Sequence, residues 1–328
     1  MKRTAKSIFG AGLLTAALAL TACGGSDDAG QKSAEDKPVQ IGITQIVEHD
    51  ALNAAREGFK KALKENGYED AVFDEQNAQG DQATATTIAS KFASDKKDLI
   101  LAIATPTAQA AAQSIQDIPI LITAVTEPEE AGLVDSWEEP GANLTGTSDL
   151  NPVEKQLGLI TELAPDAKSI GVVYSSGEVN SEVQVELARQ AAKKMGLELK
   201  EATVTNSSEV QQAANSLDVD VMYVPTDNVV VSALKSVVQV AESKKMPLIV
   251  ADTGSVEGGG IATYGIDYEK LGYQTGMMAI KVLEGEDPAT MPIETLEEVQ
   301  LILNPAAAKR MGVTIPDELL EKADQVIK

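Results

Sequence analysis

The sequence predicts an α/β protein of two similar lobes, each built on a parallel sheet, joined by three crossing segments. Three observations carry that prediction. Short β-branched runs alternate with amphipathic stretches of about ten to fifteen residues, the rhythm of βαβ units. At 328 residues the chain has room for two domains, each with its own core. The alternation also halts and restarts around Asn143–Pro152, where Leu144, Thr145 and Thr147 form a β-prone run holding Gly146 and closed by Asn151-Pro152. Such a run suits an extended passage between lobes, with its polar residues, Asp149 among them, on the floor of a cleft.

The N-terminus reads as a leader rather than as fold. Lys2, Arg3 and Lys6 precede the apolar stretch Ile8–Leu20, which is short for a membrane span. Leu20-Thr21-Ala22-Cys23 then resembles the lipobox at which bacterial lipoprotein precursors are cut, so residues 1–22 are expected to be a signal peptide and Cys23 the lipid-bearing residue. Residues 23–37, rich in Gly, Ser, Asp and Lys, read as a flexible tether. Cys23 is the only cysteine, so no disulfide framework and no thiolate metal site is expected. The net charge of −23 discounts nucleic acid and anionic lipid as partners of the body.

In the first lobe, Val39–Ile46 reads as a buried strand, followed by the polar turn Glu48-His49-Asp50. A helix from Leu52 to Asn66 comes next, with Phe59, Ala62 and Leu63 on one face. The rhythm continues with strand 71–76, helix 82–94, strand 99–104, and a helix entered through Thr105-Pro106-Thr107, with Pro106 in the first turn. Strand 119–124 leads to Val125-Thr126-Glu127-Pro128. Ligands of parallel sheets sit beyond the carboxyl ends of the strands. Gln45, His49, Thr105, Thr107 and Thr126 stand there, with Asn77 and Gln79, and the helix entry after Thr105 offers N–H groups to an anion.

The second lobe repeats the pattern: helix 153–163, strand 169–174, loop 175–180 and helix 181–195. Strand 197–204 follows, then a helix capped by Ser207 or Ser208 with Glu209 in its first turn. Strand 219–224 ends in Pro225-Thr226-Asp227-Asn228. A helix to Lys244, strand 247–250 and the loop Ala251-Asp252-Thr253-Gly254 come next. Gly258-Gly259-Gly260 reads as a flexible turn. Ala262–Gly265 reads as a second crossing, returning the chain to the first lobe, where a helix from Tyr268 to Glu284 packs. A third crossing is expected at 296–300. The lobes are therefore expected at 38–146 plus 266–298 and at 147–265 plus 299–328.

The ordered set of motifs carries a resemblance that spans nearly all of the chain beyond the leader. It comprises Ala104-Thr105-Pro106-Thr107-Ala108-Gln109, Ala124-Val125-Thr126-Glu127-Pro128, Thr145-Gly146-Thr147-Ser148-Asp149, Pro225-Thr226-Asp227-Asn228, and Tyr264-Gly265-Ile266-Asp267-Tyr268 with Leu271–Gly276. The chain resembles ABC-transporter solute-binding lipoproteins of the type I periplasmic-binding-protein fold, in particular those that take up tryptophan, tyrosine and phenylalanine. The resemblance implies two Rossmann-like lobes on a three-segment hinge. It also implies a small ligand, most simply an aromatic amino acid, bound by hinge closure, and a partner permease with its cytoplasmic ATPase. A lipid-anchored, extracytoplasmic, monomeric protein without a cofactor is expected.

The residues narrow the chemistry. His49 is the only histidine, so a histidine-based nucleophilic mechanism has one candidate base, and His49 reads either as a ligand contact or as a structural residue. No phosphate-loop motif is present. Asp149, Asp227, Asp252 and Asp267 are too scattered for a calcium-type loop. By resemblance, Asp227 and Asp252 are the residues to meet an amino group, the alternative being that each caps the following helix; Asp267 reads as an N-cap. Arg56, Arg189 and Arg310 lie in helix patterns, so Thr105, Thr107, Thr126 and helix N–H groups are left to receive a ligand carboxylate. Asn228 sits beside Asp227 at the same strand end. Tyr174, Tyr264 and Trp137 are the aromatics expected near the cleft, Trp137 alternatively as a surface plug. A purine nucleoside or a sugar, and a sensor or adhesin without a transporter, remain the alternative readings.

Overall fold

Burial follows strand position. The structure, a computed structural model, describes residues 37–296 and 298–327; the leader, Cys23 and nearly all of the tether lie outside the described residues. The chain begins β1 (Gln40–Gln45), α1 (Asp50–Glu65), β2 (Val72–Asn77), α2 (Gln82–Asp95), β3 (Leu99–Ile103), α3 (Thr105–Ser114), β4 (Ile120–Val125) and β5 (Leu144–Ser148). β3 and β4 are apolar runs buried along their whole length, as interior parallel strands with both faces covered must be. The more polar β2 is part-exposed and forms an edge.

The second half runs α4 (Val153–Leu163), β6 (Ser169–Ser175), α5 (Val179–Met195), β7 (Glu198–Val204), α6 (Val210–Ser216), β8 (Val221–Val224), α7 (Asn228–Ser232), α8 (Leu234–Lys244), β9 (Leu248–Val250), α9 (Thr253–Glu257) and β10 (Ala262–Gly265). It closes with α10 (Tyr268–Leu283), β11 (Glu294–Thr295), β12 (Gln300–Leu303), α11 (Pro305–Met311), α12 (Asp317–Lys322) and β13 (Gln325–Val326). Two sheets result, in the orders β11-β5-β4-β3-β1-β2 and β13-β12-β10-β9-β8-β6-β7. Each has its own apolar core, around Phe59, Phe92 and Leu101 in one lobe and Leu157, Val172 and Tyr223 in the other.

The chain passes between the sheets three times. β5 pairs within the first sheet as far as Ser148, while α4 packs on β9 and β10 of the second. β10 belongs to the second sheet, while α10 packs on α1, β4 and β5 of the first. β11 pairs with β5, and β12 with β10. Because β12 enters from the other lobe rather than through a crossover helix, nothing forces it parallel, and it runs antiparallel to β10.

Two local devices position the site. α1 and α10 pack so closely that a Cβ at Gly58 would stand 2.0 Å from the Glu269 carbonyl oxygen, and one at Gly272 would stand 1.8 Å from that of Ala55. The N-terminal ends of both helices reach the cleft. In β4, pairing with β5 slips between Ile122 and Val125, a bulge that puts Ala124 at φ 55 and re-aims the residues after it. Gly146 opposite has φ 147, and a side chain there would collide with the Ile122 backbone.

Several local expectations change. Asn206, rather than Ser207 or Ser208, caps the turn before α6, accepting from the Ser208 N–H. The helix expected to run to Lys244 breaks at Ala233 into α7 and α8. Asp252-Thr253-Gly254 is the start of α9 and not a loop. The Gly258–Gly260 turn is packed rather than flexible: Gly259 and Gly260 are buried, and a Cβ on Gly260 would meet Val250 at 2.6 Å.

Candidate functional site

A cavity of about 10 Å³ lies where the two lobes meet, room for about one water molecule. Of the residues singled out from sequence, His49, Thr126, Asp149, Asn228 and Asp252 line it. Asn180, Thr226 and Tyr268 complete its polar wall, and Ala51, Leu52, Ala124 and Val231 its apolar one. The lobes touch at its rim: His49 Nε2 is 3.5 Å from Asn228 Oδ1, and a Cβ on Gly254 of α9 would lie 3.4 Å from the Asp50 Cβ of α1.

Each wall residue is delivered by an element end. Thr126 follows the β4 bulge, and Asp149 follows β5. The Asp149 carboxylate accepts from Thr126 Oγ1 at 2.8 Å and from the Tyr268 hydroxyl at 2.6 Å, tying three elements of the first lobe together. Asp252 caps α9, accepting from the Ser255 N–H at 2.8 Å and from the Ser255 hydroxyl. His49 precedes the first turn of α1 and makes no side-chain cap bond.

The electrostatics are lopsided. Asp149, Glu178, Asp227 and Asp252 are all buried. Among the described residues, no lysine or arginine lies within salt-bridge distance of any of them. Burial pushes the Asp149 carboxyl above its ordinary range in spite of its two hydroxyl donors, with Asp252 adding to the rise. Burial and the neighbouring Asp227 push Glu178 up to about 7. Burial lowers the basicity of His49, against the opposing pull of Asp252 and Asp50. Buried polar atoms also lack partners: His49 Nδ1, Asn180 Oδ1 and Thr226 Oγ1 on the wall, and Thr105 Oγ1 and Asn151 Oδ1 elsewhere.

Five of the ten ligand candidates lie outside the wall. Gln45 is buried but gives its amide to the Val47 carbonyl and Asn53 Oδ1, both at 2.8 Å. Thr105 is buried at the start of α3, and Thr107 turns its hydroxyl back onto the Ile103 carbonyl at 2.6 Å. The Tyr174 hydroxyl reaches Glu201 Oε2 at 3.1 Å: Tyr174 pairs with Thr203, so Glu201, two residues back on β7, lies on the same face of the sheet. Asp227 has both oxygens occupied, by the Ser175 N–H at 2.6 Å, Ser181 Oγ at 2.7 Å and the Val230 N–H at 2.8 Å. It caps α7 and braces the loop after β6.

The aromatics are exchanged as well. Tyr268 is the ring on the wall, while the ammonium of Lys155 lies 4.0 Å from the Tyr264 ring centroid and Trp137 Nε1 donates to Glu127 Oε1 at 2.6 Å. Trp137 lines a separate open groove of about 780 Å³ with five glutamates, among them Glu129, Glu130 and Glu182. Asn180, Thr226 and Glu178 went unselected from sequence; only the position of Thr226 at a strand end, one residue before Asp227, could have flagged it.

Comparison with known proteins agrees with this architecture. The family model for ABC transporter substrate binding proteins matches residues 40–327. A tyrosine-binding protein of Clostridioides difficile (strain R20291) is 48% identical over 317 residues, 94% of this chain and 92% of that one. The crystal structure of an ABC domain in complex with L-Trp from Streptococcus pneumonia is 37% identical, with TM-score 0.86 over 89% of this chain and 100% of that one. The ligand-free, open structure of a substrate binding protein with adhesive properties from Clostridium difficile is 50% identical, with TM-score 0.67 over 88% and 99%. Solute-binding proteins of ABC transporters work outside the cytoplasm. With its two parallel-rich sheets and a polar cavity between them, the chain belongs to the ABC transporter substrate-binding protein family and has the type I periplasmic-binding-protein fold.

Proposed function

We propose that this protein captures an aromatic α-amino acid outside the cell membrane and hands it to an ABC permease. The observation that carries this reading is the pair Asp149 and Asp252, two buried carboxylates on one cavity with no lysine or arginine beside them among the described residues. Leu52, Val231 and the ring of Tyr268 line the same cavity. A ligand with an ammonium group and an apolar body complements this mixed wall. The sixteen-residue helix α1 begins at this wall without a side-chain cap, so its first N–H groups are free to receive a carboxylate. The tyrosine-binding relative and the L-Trp complex support the same ligand class.

Hinge closure is the mechanism we infer, with the three passages between the sheets as hinge and the lobes at 38–148 plus 268–295 and 153–265 plus 300–327. An amino acid far exceeds a cavity of about 10 Å³, so entry requires the lobes to part. Resemblance also tracks ligand state over identity: 0.86 to the L-Trp complex at 37%, against 0.67 to the open, ligand-free structure at 50%. That contrast supports two lobe arrangements, with the present one on the closed side, and a ligand that bridges both lobes favours closure by its difference in affinity. Cys23 is the proposed lipid anchor, the protein is proposed to act as a monomer, and binding without turnover is its proposed role.

A thermal-shift screen against amino acids, nucleosides and sugars tests the ligand class. L-Tyrosine or L-tryptophan at a hundred times its Kd should stabilise by about 2.7 kcal/mol, a rise of roughly 4 °C. A response confined to sugars or nucleosides would overturn the reading. The relative with adhesive properties supports a second reading, a surface adhesin without transport. Loss of amino-acid uptake with intact adhesion on gene deletion would reject that alternative.

A further inference from the structure

Glu178 does not line the cavity, yet it decides what the cavity offers. It stands before α5 and is buried. Three donors converge on its Oε2: the Asn228 N–H at 3.3 Å, Asn228 Nδ2 at 2.6 Å and Asn180 Nδ2 at 3.0 Å. A backbone N–H can only donate, so Oε2 is an acceptor whatever the proton count of the carboxyl. With the carboxyl ionised, as at pH 8, it has no hydrogen to give, so both amides present nitrogen to Glu178 and oxygen elsewhere. Asn180 Nδ2 also meets the Thr226 carbonyl at 3.1 Å, which fixes the same orientation.

The consequences reach across the lobe boundary. Asn180 Oδ1 is left buried without a partner. Asn228 Oδ1 faces His49 Nε2 at 3.5 Å, the outer limit of a hydrogen bond. Opposite an amide oxygen, Nε2 must carry the hydrogen. A neutral imidazole has only one, so Nδ1 keeps its lone pair, and Nδ1 is buried and unpartnered. Burial holds the ring in its neutral form, with Asp252 and Asp50 the charged groups that oppose this.

We propose that Glu178 is a positioning residue for ligand recognition: through Asn180 and Asn228 it leaves an amide oxygen and, once the lobes meet, His49 Nδ1 as acceptors for the ammonium group of the ligand. With the carboxylates of Asp149 and Asp252 the wall then presents acceptors from both lobes, matching a group with three N–H donors. The acceptor at His49 exists only in the closed arrangement, so closure itself completes the amine site. The tautomer stands on the geometry alone, whereas the ammonium assignment rests on the proposed function.

Because His49 is the only histidine, ¹⁵N-histidine labelling yields one set of ring signals. The substitutions Asp50→Cys and Gly254→Cys, at positions whose Cβ atoms would lie 3.4 Å apart, lock the lobes together by a disulfide when combined with Cys23→Ser. The locked full-length protein at pH 8 should show the neutral Nε2–H tautomer. Glu178→Met keeps the length but removes the acceptor that faces three donors, freeing the Asn228 amide to turn; it should shift the ring toward Nδ1–H and, without the lock, weaken L-tyrosine binding about 10- to 100-fold. Adding Asn228→Asp supplies a carboxylate that can only accept from His49 Nε2–H, and should restore the Nε2–H signal and part of the affinity.

A locked protein showing Nδ1–H, or an E178M variant with unchanged tautomer and affinity, would overturn the proposal. If the unlocked protein binds neither L-tyrosine nor L-tryptophan, the proposed function fails, and the tautomer of the locked protein still decides the relay.

Discussion

Replacing Asp149 with Asn separates the role of its charge from the role of its hydrogen bonds. The carboxylate holds Thr126 Oγ1 at 2.8 Å and the Tyr268 hydroxyl at 2.6 Å; an amide keeps one acceptor and turns a donor toward the other hydroxyl. That exchange costs about 1 kcal/mol. Burial already raises the carboxyl above its ordinary range, so removing the charge relieves the ligand-free fold and offsets the loss. Its melting temperature should therefore stay within a few degrees of wild type. The bound state differs: an ammonium about 4 Å from a carboxylate gains roughly 4 kcal/mol at an effective dielectric near 20, part of which goes to ionising Asp149. A net loss of about 2–3 kcal/mol, or roughly 30- to 150-fold in Kd, is expected for L-tyrosine by titration calorimetry at pH 7.5. The deaminated analogue, 3-(4-hydroxyphenyl)propionate, should bind both proteins about equally. Wild-type affinity for the amino acid in the Asn variant, or equal losses for both ligands, would refute an amine contact at Asp149.

Gly272→Ala should cost about 3 kcal/mol or more and lower the chemical-denaturation midpoint, since its methyl would stand 1.8 Å from a carbonyl oxygen of α1 and overpacking of this kind strains both helices. Asp227→Ala should destabilise by about 2–4 kcal/mol through the loss of bonds to Ser175, Ser181 and Val230, while ligand affinity of the folded fraction changes less than threefold by calorimetry. The raised carboxyls set the pH dependence: the folded form keeps a proton on Glu178 up to about 7 that the unfolded chain loses near 4.5. This contribution is present below the unfolded value and is lost as pH rises through the folded one; Asp149 and Asp227 act in the same direction. His49, with its basicity lowered by burial, opposes this as pH falls, but one group stands against three; ligand-free protein should thus melt higher at pH 5.5 than at pH 8, and a saturating amino acid should narrow or reverse that gap in differential scanning calorimetry.

Periodicity made the lobes readable. Leu99–Ile103 and Ile120–Val125 are apolar on both faces, and that pattern belongs to interior parallel strands. The five-residue α9 carries too little periodicity to announce itself, so the sequence left Asp252 open between an amine contact and a helix cap, and the structure shows that it caps a helix. At strand ends the residue types were informative, as His49, Thr126 and Asp149 show, but side-chain direction was not. Tyr174 and Tyr268 are equally aromatic in sequence; only the packing of α10 against α1 brings the second to the cleft. The amide cluster was out of reach because Glu178 and Asn228 are 50 residues apart, and no local pattern announces their bond.

The glycine contacts between α1 and α10 also bear on how the polypeptide matures. Ala55, Gly58, Phe59 and Ala62 are made early, yet the helix that covers them starts at Tyr268, after most of the second core has been synthesised. A nascent chain halted near Ser148 would carry five strands of one sheet and a bare greasy stripe, unable to finish its own domain. The first half to leave the ribosome therefore waits through most of synthesis for its cover, and in the interval its uncovered stripe is a target for holdase chaperones and a hazard for aggregation.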